Sequence, residues 1–219
     1  MRSYSNEPAW VDAKTHYDRL IAEGNDPVCD PPALQTHMDR WDGPLFLQFL
    51  RLRLAGTSRS CLEIGVGTGR LAMRVCAFCR DFTGIDLSPR TLAAARRHLR
   101  RFSQARLYRG DFLTYDFQRL FAVIYSSLTF FHIADKALAI QKVAALLEPG
   151  GFFLLSVSKD QCSILDFGGR RVRLYPDSPT QTAALLRDAD LTILAQTETD
   201  AAWIFAAEKA AGEIGGFSV

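Results

Sequence analysis

Residues 59–70 read Arg-Ser-Cys-Leu-Glu-Ile-Gly-Val-Gly-Thr-Gly-Arg. A short apolar run (Cys61, Leu62, Ile64) meets glycines at alternate positions, Gly65, Gly67 and Gly69, and a helical pattern begins at about Leu71. Strand, glycine turn and helix in that order let the backbone approach a nucleotide-like ligand, which a side chain at any of the three glycines would push away. The spacing is not the dinucleotide fingerprint Gly-x-Gly-x-x-Gly, because Arg70 holds the sixth position. Glu63 is a second departure. A carboxylate inside an apolar strand is costly unless it is paired or meets a cation, and an acid beside a glycine turn suits a ligand carrying an amino group.

Outward from this stretch, strands and helices alternate. Further strands are expected over Asp81–Asp86, Ala105–Arg109, Ala122–Ser127 and Phe152–Ser158, with helices between them and Ser88 capping the one that starts at Pro89. Such alternation argues a parallel, doubly wound sheet. Leu191–Glu198 and Ala201–Glu208 are separated by so few residues that they can pair only as an antiparallel hairpin. Before the glycine stretch, helices are expected over Pro8–Glu23, Pro32–Trp41 and Pro44–Leu54, joined by the turn-rich Asn25–Pro32. The expected organisation is a helical cap over residues 1–55, too short to fold alone, a main domain over 56–209 and a frayed tail over 210–219.

Composition narrows the class. Apolar residues make up 48% and charged residues 23% of the 219, as in ordinary globular proteins, and a net charge of +2 offers no bulk attraction for nucleic acid or membrane. No apolar run reaches the roughly 20 residues of a membrane helix, and Met1–Trp10 lacks a signal-peptide core. A cytoplasmic location is expected by default. Five cysteines show no framework spacing. Cys76 and Cys79 form a Cys-x-x-Cys, but with no second pair and no histidine nearby they read as small apolar residues on a helix.

The stretch Glu-Ile-Gly-Val-Gly-Thr-Gly resembles motif I of the class I S-adenosylmethionine-dependent methyltransferases, and the likeness extends over about Arg59–Lys209. It implies a Rossmann-like seven-stranded sheet, mostly parallel and closed by the hairpin. It implies S-adenosylmethionine as cofactor, held by Glu63, Gly65, Val66, Gly67 and Gly69. Asp86 ends the second strand about 20 residues beyond the turn, where an acid accepts from the ribose hydroxyls. By the same resemblance Leu87 packs on the adenine, Asp111 and Phe112 read its edge and ring, and Ser127 and Tyr17 complete the cofactor site.

The loop Ser126-Ser127-Leu128-Thr129-Phe130-Phe131-His132 lacks both the Asn-Pro-Pro-Tyr type motif of adenine and glutamine methyltransferases and the metal-holding aspartate of catechol-type members. The acceptor is therefore expected to be a small molecule, with no nucleic acid, no membrane and no metal site. His132 is the one candidate base, with an ordinary pKa near about 6.5. It also packs or caps the next helix in the plainer reading. His37, Trp41 and His132 are candidate walls of the acceptor pocket, and His16 is a weaker one. His98, among Arg96, Arg97, Arg100 and Arg101, reads as part of a solvated basic face. A monomer or homodimer is expected. Two rivals remain: a non-catalytic S-adenosylmethionine-binding scaffold, and an aminopropyltransferase-like enzyme, which would need acids that the loop after the fourth strand lacks.

Overall fold

The computed structural model describes residues 8–211; the tail expected over 210–219 lies almost wholly outside the described residues. Pro8 does not open a helix. It leads into a strand, β1 (Ala9–Val11), after which Asp12 caps α1 (Ala13–Ala22), its side chain accepting from the Thr15 N–H. The expected helices over 32–41 and 44–54 are the two halves of α2 (Pro32–Leu54), broken at Gly43, whose φ of 65° and ψ of 171° lie outside helical space. Pro44 then starts the second half, where its missing N–H costs nothing.

The main sheet is built from β2 (Ser60–Ile64), β3 (Asp81–Asp86), β4 (Ala105–Arg109), β5 (Phe121–Ser127), β6 (Leu147–Ser158), β9 (Leu191–Glu198) and β10 (Ala202–Lys209). Its order is β4-β3-β2-β5-β6-β10-β9. The pairs from β4 across to β6 are parallel, while β10 runs antiparallel to both β6 and β9. This is the expected seven-stranded sheet with its closing hairpin. Every residue of β2 and β5 is buried, as befits central strands covered on both faces. One face packs Phe46, Leu50 and Leu54 of α2, Leu71 and Val75 of α3 (Arg70–Val75), and Leu92 of α4 (Pro89–His98). The other packs Ile140 and Val143 of α5 (Lys136–Leu146) and Leu186 of α6 (Pro179–Asp188). The chain winds outward from β2 to β4, then crosses back to lay β5 on the other side of β2. The topological switch point therefore falls between β2 and β5, where open α/β sheets bind ligands.

A second, three-stranded sheet was not expected from the sequence. β7 (Ile164–Asp166) and β8 (Arg170–Arg173) form a hairpin, and β1 adds in parallel along β8. Arg170 in β8 is nearly buried; its guanidinium grips both carboxylate oxygens of Glu23 at 2.5 and 2.8 Å and donates from Nε to His16 Nδ1 at 3.0 Å. The N-terminal cap is thus strapped to the β7–β8 hairpin by a strand pair and a bidentate ion pair, besides its contacts with the main sheet.

Candidate active site

At the switch point lies a cavity of about 390 Å³, lined by the carboxyl ends of β2, β3 and β5 and the loops that follow them. Tyr17 and Lys14 of α1, Pro27 of the next turn and Met38 of α2 also line it. That is a size at which small-molecule sites are found.

The glycine turn is held by backbone and by one carboxylate. The Gly65 and Val66 N–H groups both donate to the Ile85 carbonyl, at 2.9 and 3.0 Å. Asp86 accepts from the Gly67 N–H at 3.0 Å through Oδ2 and from the Ser88 N–H at 2.9 Å through Oδ1. Gly65 and Gly67 have φ of 75° and 57°, in the left-handed region. Their glycines nonetheless answer different demands. A Cβ on Gly65 would stand 2.0 Å from Thr129 Oγ1, whereas one on Gly67 would meet no atom within 4 Å and so enter open space. Gly69 caps α3, would make only ordinary contact with Leu99, and does not line the cavity. The expectation that all three glycines clear space for a ligand is therefore corrected: Gly65 clears the loop after β5, Gly69 shapes a helix start, and Gly67 alone faces free space.

Two acids approach the turn from behind. Glu63 is 3% exposed and accepts from the Tyr125 hydroxyl at 2.7 Å. Burial lifts its carboxyl from an ordinary value of 4.5 to about 8, against the opposing pull of Tyr125 and Arg70. Asp42, 1% exposed at the break in α2, pairs with Arg70 at 2.5 Å and accepts from the Ser127 hydroxyl. The triad Asp42–Arg70–Ser127 joins α2, the start of α3 and the end of β5 around the cavity floor. Its signal in the sequence is Arg70 itself: a cation in place of the fingerprint's last glycine requires a partner when buried.

Over the cavity, the Tyr17 hydroxyl and His132 Nε2 are 2.9 Å apart, with the rings edge to face. Burial, with His16 and Lys136 adding to it, lowers the His132 pKa from 6.5 to about 4, so the imidazole is neutral at ordinary pH. Burial also pushes the Tyr17 phenol up, and Asp86 pushes it further. The phenol therefore donates to Nε2, which leaves the imidazole proton on Nδ1, a buried atom with no hydrogen-bond partner among the described residues. Next to Tyr17 on α1, Asp18 accepts from the Ser88 hydroxyl at 2.7 Å and the Arg90 N–H at 3.1 Å, fastening α1 to the first turn of α4.

Of the residues singled out from sequence, Glu63, Gly65, Val66, Gly67, Asp86, Leu87, Asp111, Phe112, Ser127, Tyr17 and His132 all line this one cavity. His37 and Trp41 do not. They pack on each other, ring centroids 5.5 Å apart, and Met38 between them reaches the cavity instead. His16 is also absent from the lining; it is buried behind Tyr17 against Phe167 and Arg170. His98 is no part of a solvated face, since its ring is half-buried and Nδ1 lies 2.8 Å from the Thr68 carbonyl. Cys61, Cys76 and Cys79 are buried in the core, in keeping with their reading as apolar packing.

Residues 61–151 match the family described as a methyltransferase domain. The chain is 26% identical over 117 residues to nodulation protein S of Sinorhizobium fredii, covering 52% of this chain and 54% of that protein. It is thus matched over about half of that relative's length. It is 27% identical over 162 residues to the ubiquinone biosynthesis O-methyltransferase of Nitrosomonas europaea, covering 70% of this chain and 69% of the other. Its fold superposes with a TM-score of 0.69 on the N-methyltransferase NodS of Bradyrhizobium japonicum in complex with S-adenosyl-L-homocysteine, at 20% identity and covering 91% of this chain and 99% of that one. The glycine turn tied to Asp86, the switch-point cavity and the match over residues 61–151 agree, and this part of the chain is similar to methyltransferase domains.

Proposed function

We propose that this protein transfers a methyl group from S-adenosylmethionine to a small-molecule acceptor, residues 56–209 forming the transfer domain and residues 1–55 the cap over it. The observation that carries the reading is the convergence of eleven sequence-marked residues on one cavity of small-molecule size. The donor set suits the cofactor. Asp86 and Asp111 offer carboxylates to an adenosine, Leu87 and Phe112 offer it apolar surface, and Gly67 leaves the backbone open to close approach. Glu63 suits the amino group of the methionine end. The cofactor's sulfonium supplies a methyl that is already electrophilic. What remains for the protein is to orient the acceptor's nucleophilic atom, hold it close and exclude water.

The Tyr17–His132 pair faces the acceptor side of that task. A histidine with a pKa of about 4 carries a proton in only about one molecule in a thousand at pH 7. It is a weak base, and its accepting nitrogen is already engaged by Tyr17. The pair is therefore assigned to positioning, through the Tyr17 oxygen that His132 holds in place. The acceptor is one that arrives with its lone pair available, such as a weakly basic amine that is neutral near pH 7 or an already ionised oxygen or carbon acid. At saturating cofactor, kcat should be flat between about pH 5.5 and about pH 8. An inflection near about pH 6.5 that disappears in His132→Gln would instead make His132 the base.

Glu63 supplies the pH dependence of cofactor binding. A cation placed beside it favours the ionised carboxylate, so binding expels a proton. Affinity should climb with pH by up to about tenfold per unit until about pH 8, then level off. Glu63→Gln should flatten the slope, and calorimetry in buffers of different ionisation enthalpy reads both the slope and the released proton. The same lifted pKa makes stability fall as pH rises from about 4.5 to about 8, because the folded chain keeps a proton the unfolded chain has lost.

The proposed function itself is tested by incubating the purified chain with methyl-labelled cofactor and pooled small metabolites, fractionated by charge. Label moving to a low-molecular-weight product supports it. Cofactor binding with no transfer to any fraction would favour a binding scaffold.

A further inference from the structure

Away from the cavity floor, Asp26, Cys29 and His98 present an oxygen, a sulfur and a nitrogen within 4.8 Å of one another, the one such group of three among the described residues. We propose that they form a binding site for a zinc-like divalent cation, which braces the cap against the glycine turn.

Three observations carry this. First, the separations fit a metal. Tetrahedral zinc, with bonds of about 2.3 Å to sulfur and about 2.0–2.1 Å to nitrogen or oxygen, sets nitrogen and oxygen ligands about 3.3 Å apart and sulfur and nitrogen ligands about 3.6 Å apart. His98 Nε2 lies 3.3 Å from Asp26 Oδ2 and 3.8 Å from Cys29 Sγ. Second, the histidine is oriented as a ligand. Its Nδ1 lies 2.8 Å from the Thr68 carbonyl, which fixes the proton on Nδ1 and turns the Nε2 lone pair towards the other two groups. A backbone carbonyl behind the far ring nitrogen is the arrangement that orients metal-bound histidines. Third, the turn is pre-shaped. Asp26 Oδ1 accepts from the Val28 N–H at 3.1 Å and its carbonyl accepts from the Cys29 N–H at 2.8 Å, so Oδ2 is left for the metal and Cys29 is folded back beside it.

The donor set of thiolate, imidazole and carboxylate selects zinc or cobalt over magnesium or calcium, and three protein ligands leave a fourth position for water. The placement gives the site a consequence. Pro27, between Asp26 and Cys29, lines the cavity, and Thr68 belongs to the glycine turn. A bound ion would tie the turn that joins α1 to α2 onto α4, and through His98 onto the cofactor's backbone cradle. The sequence reading expected no metal because it looked to the loop after β5 and to Cys76 and Cys79. These three residues come from stretches 69 positions apart, and only the fold unites Cys29 with His98.

The test needs neither cofactor nor acceptor, so its failure would leave the proposed function standing. The full chain, stripped with a chelator and dialysed, is titrated with zinc chloride by calorimetry and with cobalt chloride by absorption. The expected result is one equivalent of zinc, and a cobalt spectrum with tetrahedral bands and a thiolate charge-transfer band. Cys29→Ser, at an exposed position, should weaken zinc by at least about a hundredfold and remove the charge-transfer band. His98→Gln should weaken zinc comparably, and Asp26→Asn, which keeps the turn's acceptor, by about tenfold or more. Binding below one equivalent, or stoichiometric binding that Cys29→Ser and His98→Gln leave unchanged, would overturn the site.

Discussion

Gly65→Ala is expected to lower stability by about 3 kcal/mol and the melting temperature by about 6–12 °C. Two costs add. An alanine held at φ of 75° pays the left-handed penalty, about 1–2 kcal/mol. Its Cβ would also stand 2.0 Å from Thr129 Oγ1 and 2.9 Å from Thr129 Cβ, so the side chain cannot escape by rotating and the loop must shift, at about 1–3 kcal/mol. Thr129→Ala introduced alongside removes the nearest atoms and should recover part of the second cost but none of the first. Gly67→Ala, at φ of 57° with nothing within 4 Å, should cost only the backbone penalty, about 1–2 kcal/mol, while weakening cofactor binding. Thermal melts of the three single variants and the double variant settle the comparison. Equal losses for Gly65→Ala and Gly67→Ala, with no recovery in the double variant, would contradict the division of labour between the glycines.

Asp86→Ala should weaken binding of the cofactor or its product by about 1–3 kcal/mol, roughly five- to over a hundredfold. The variant removes a carboxylate offered to the ligand and also strands the N–H groups of Gly67 and Ser88, which Asp86 now satisfies at 3.0 and 2.9 Å. The turn should therefore loosen even without ligand, and the melting temperature should fall together with the affinity. Asp111→Ala serves as the contrast. Its carboxylate accepts from the Leu113 N–H in an exposed turn, so affinity should fall with little change in stability. Unchanged affinity in Asp86→Ala would remove Asp86 from the cofactor site.

The reach of the sequence can be followed residue by residue. Ser60–Ile64, Asp81–Asp86 and Ala105–Arg109 announce themselves because each is a short run set between turn and helix signals at the spacing of alternating strands and helices. The hairpin of β9 and β10 follows from connection length alone. β1 was hidden because three residues carry no period, and its pairing with β8 joins stretches 161 positions apart, Ala9 with Arg170. Pro8 and the apolar spacing of Trp10, Ala13 and Tyr17 mimicked a helix start. Within the site, motif-bound residues were legible because backbone geometry dictates them. Asp42 was not, since its meaning depends on the break at Gly43 that turns it towards Arg70. His37 and Trp41 drew attention as aromatic residues, yet the register of α2 directs Met38 to the cavity and leaves the two rings to pack together.

Binding of S-adenosylmethionine in the switch-point cavity, as proposed, depends on the turn that Asp86 secures. Its most direct test is calorimetric titration of the wild-type chain with S-adenosylhomocysteine, with Asp86→Ala alongside. One site per chain is expected, saturable and competed by S-adenosylmethionine, with the heat largely lost in the variant at the same concentrations. No heat from the folded wild-type chain, or identical isotherms for the two proteins, would contradict it.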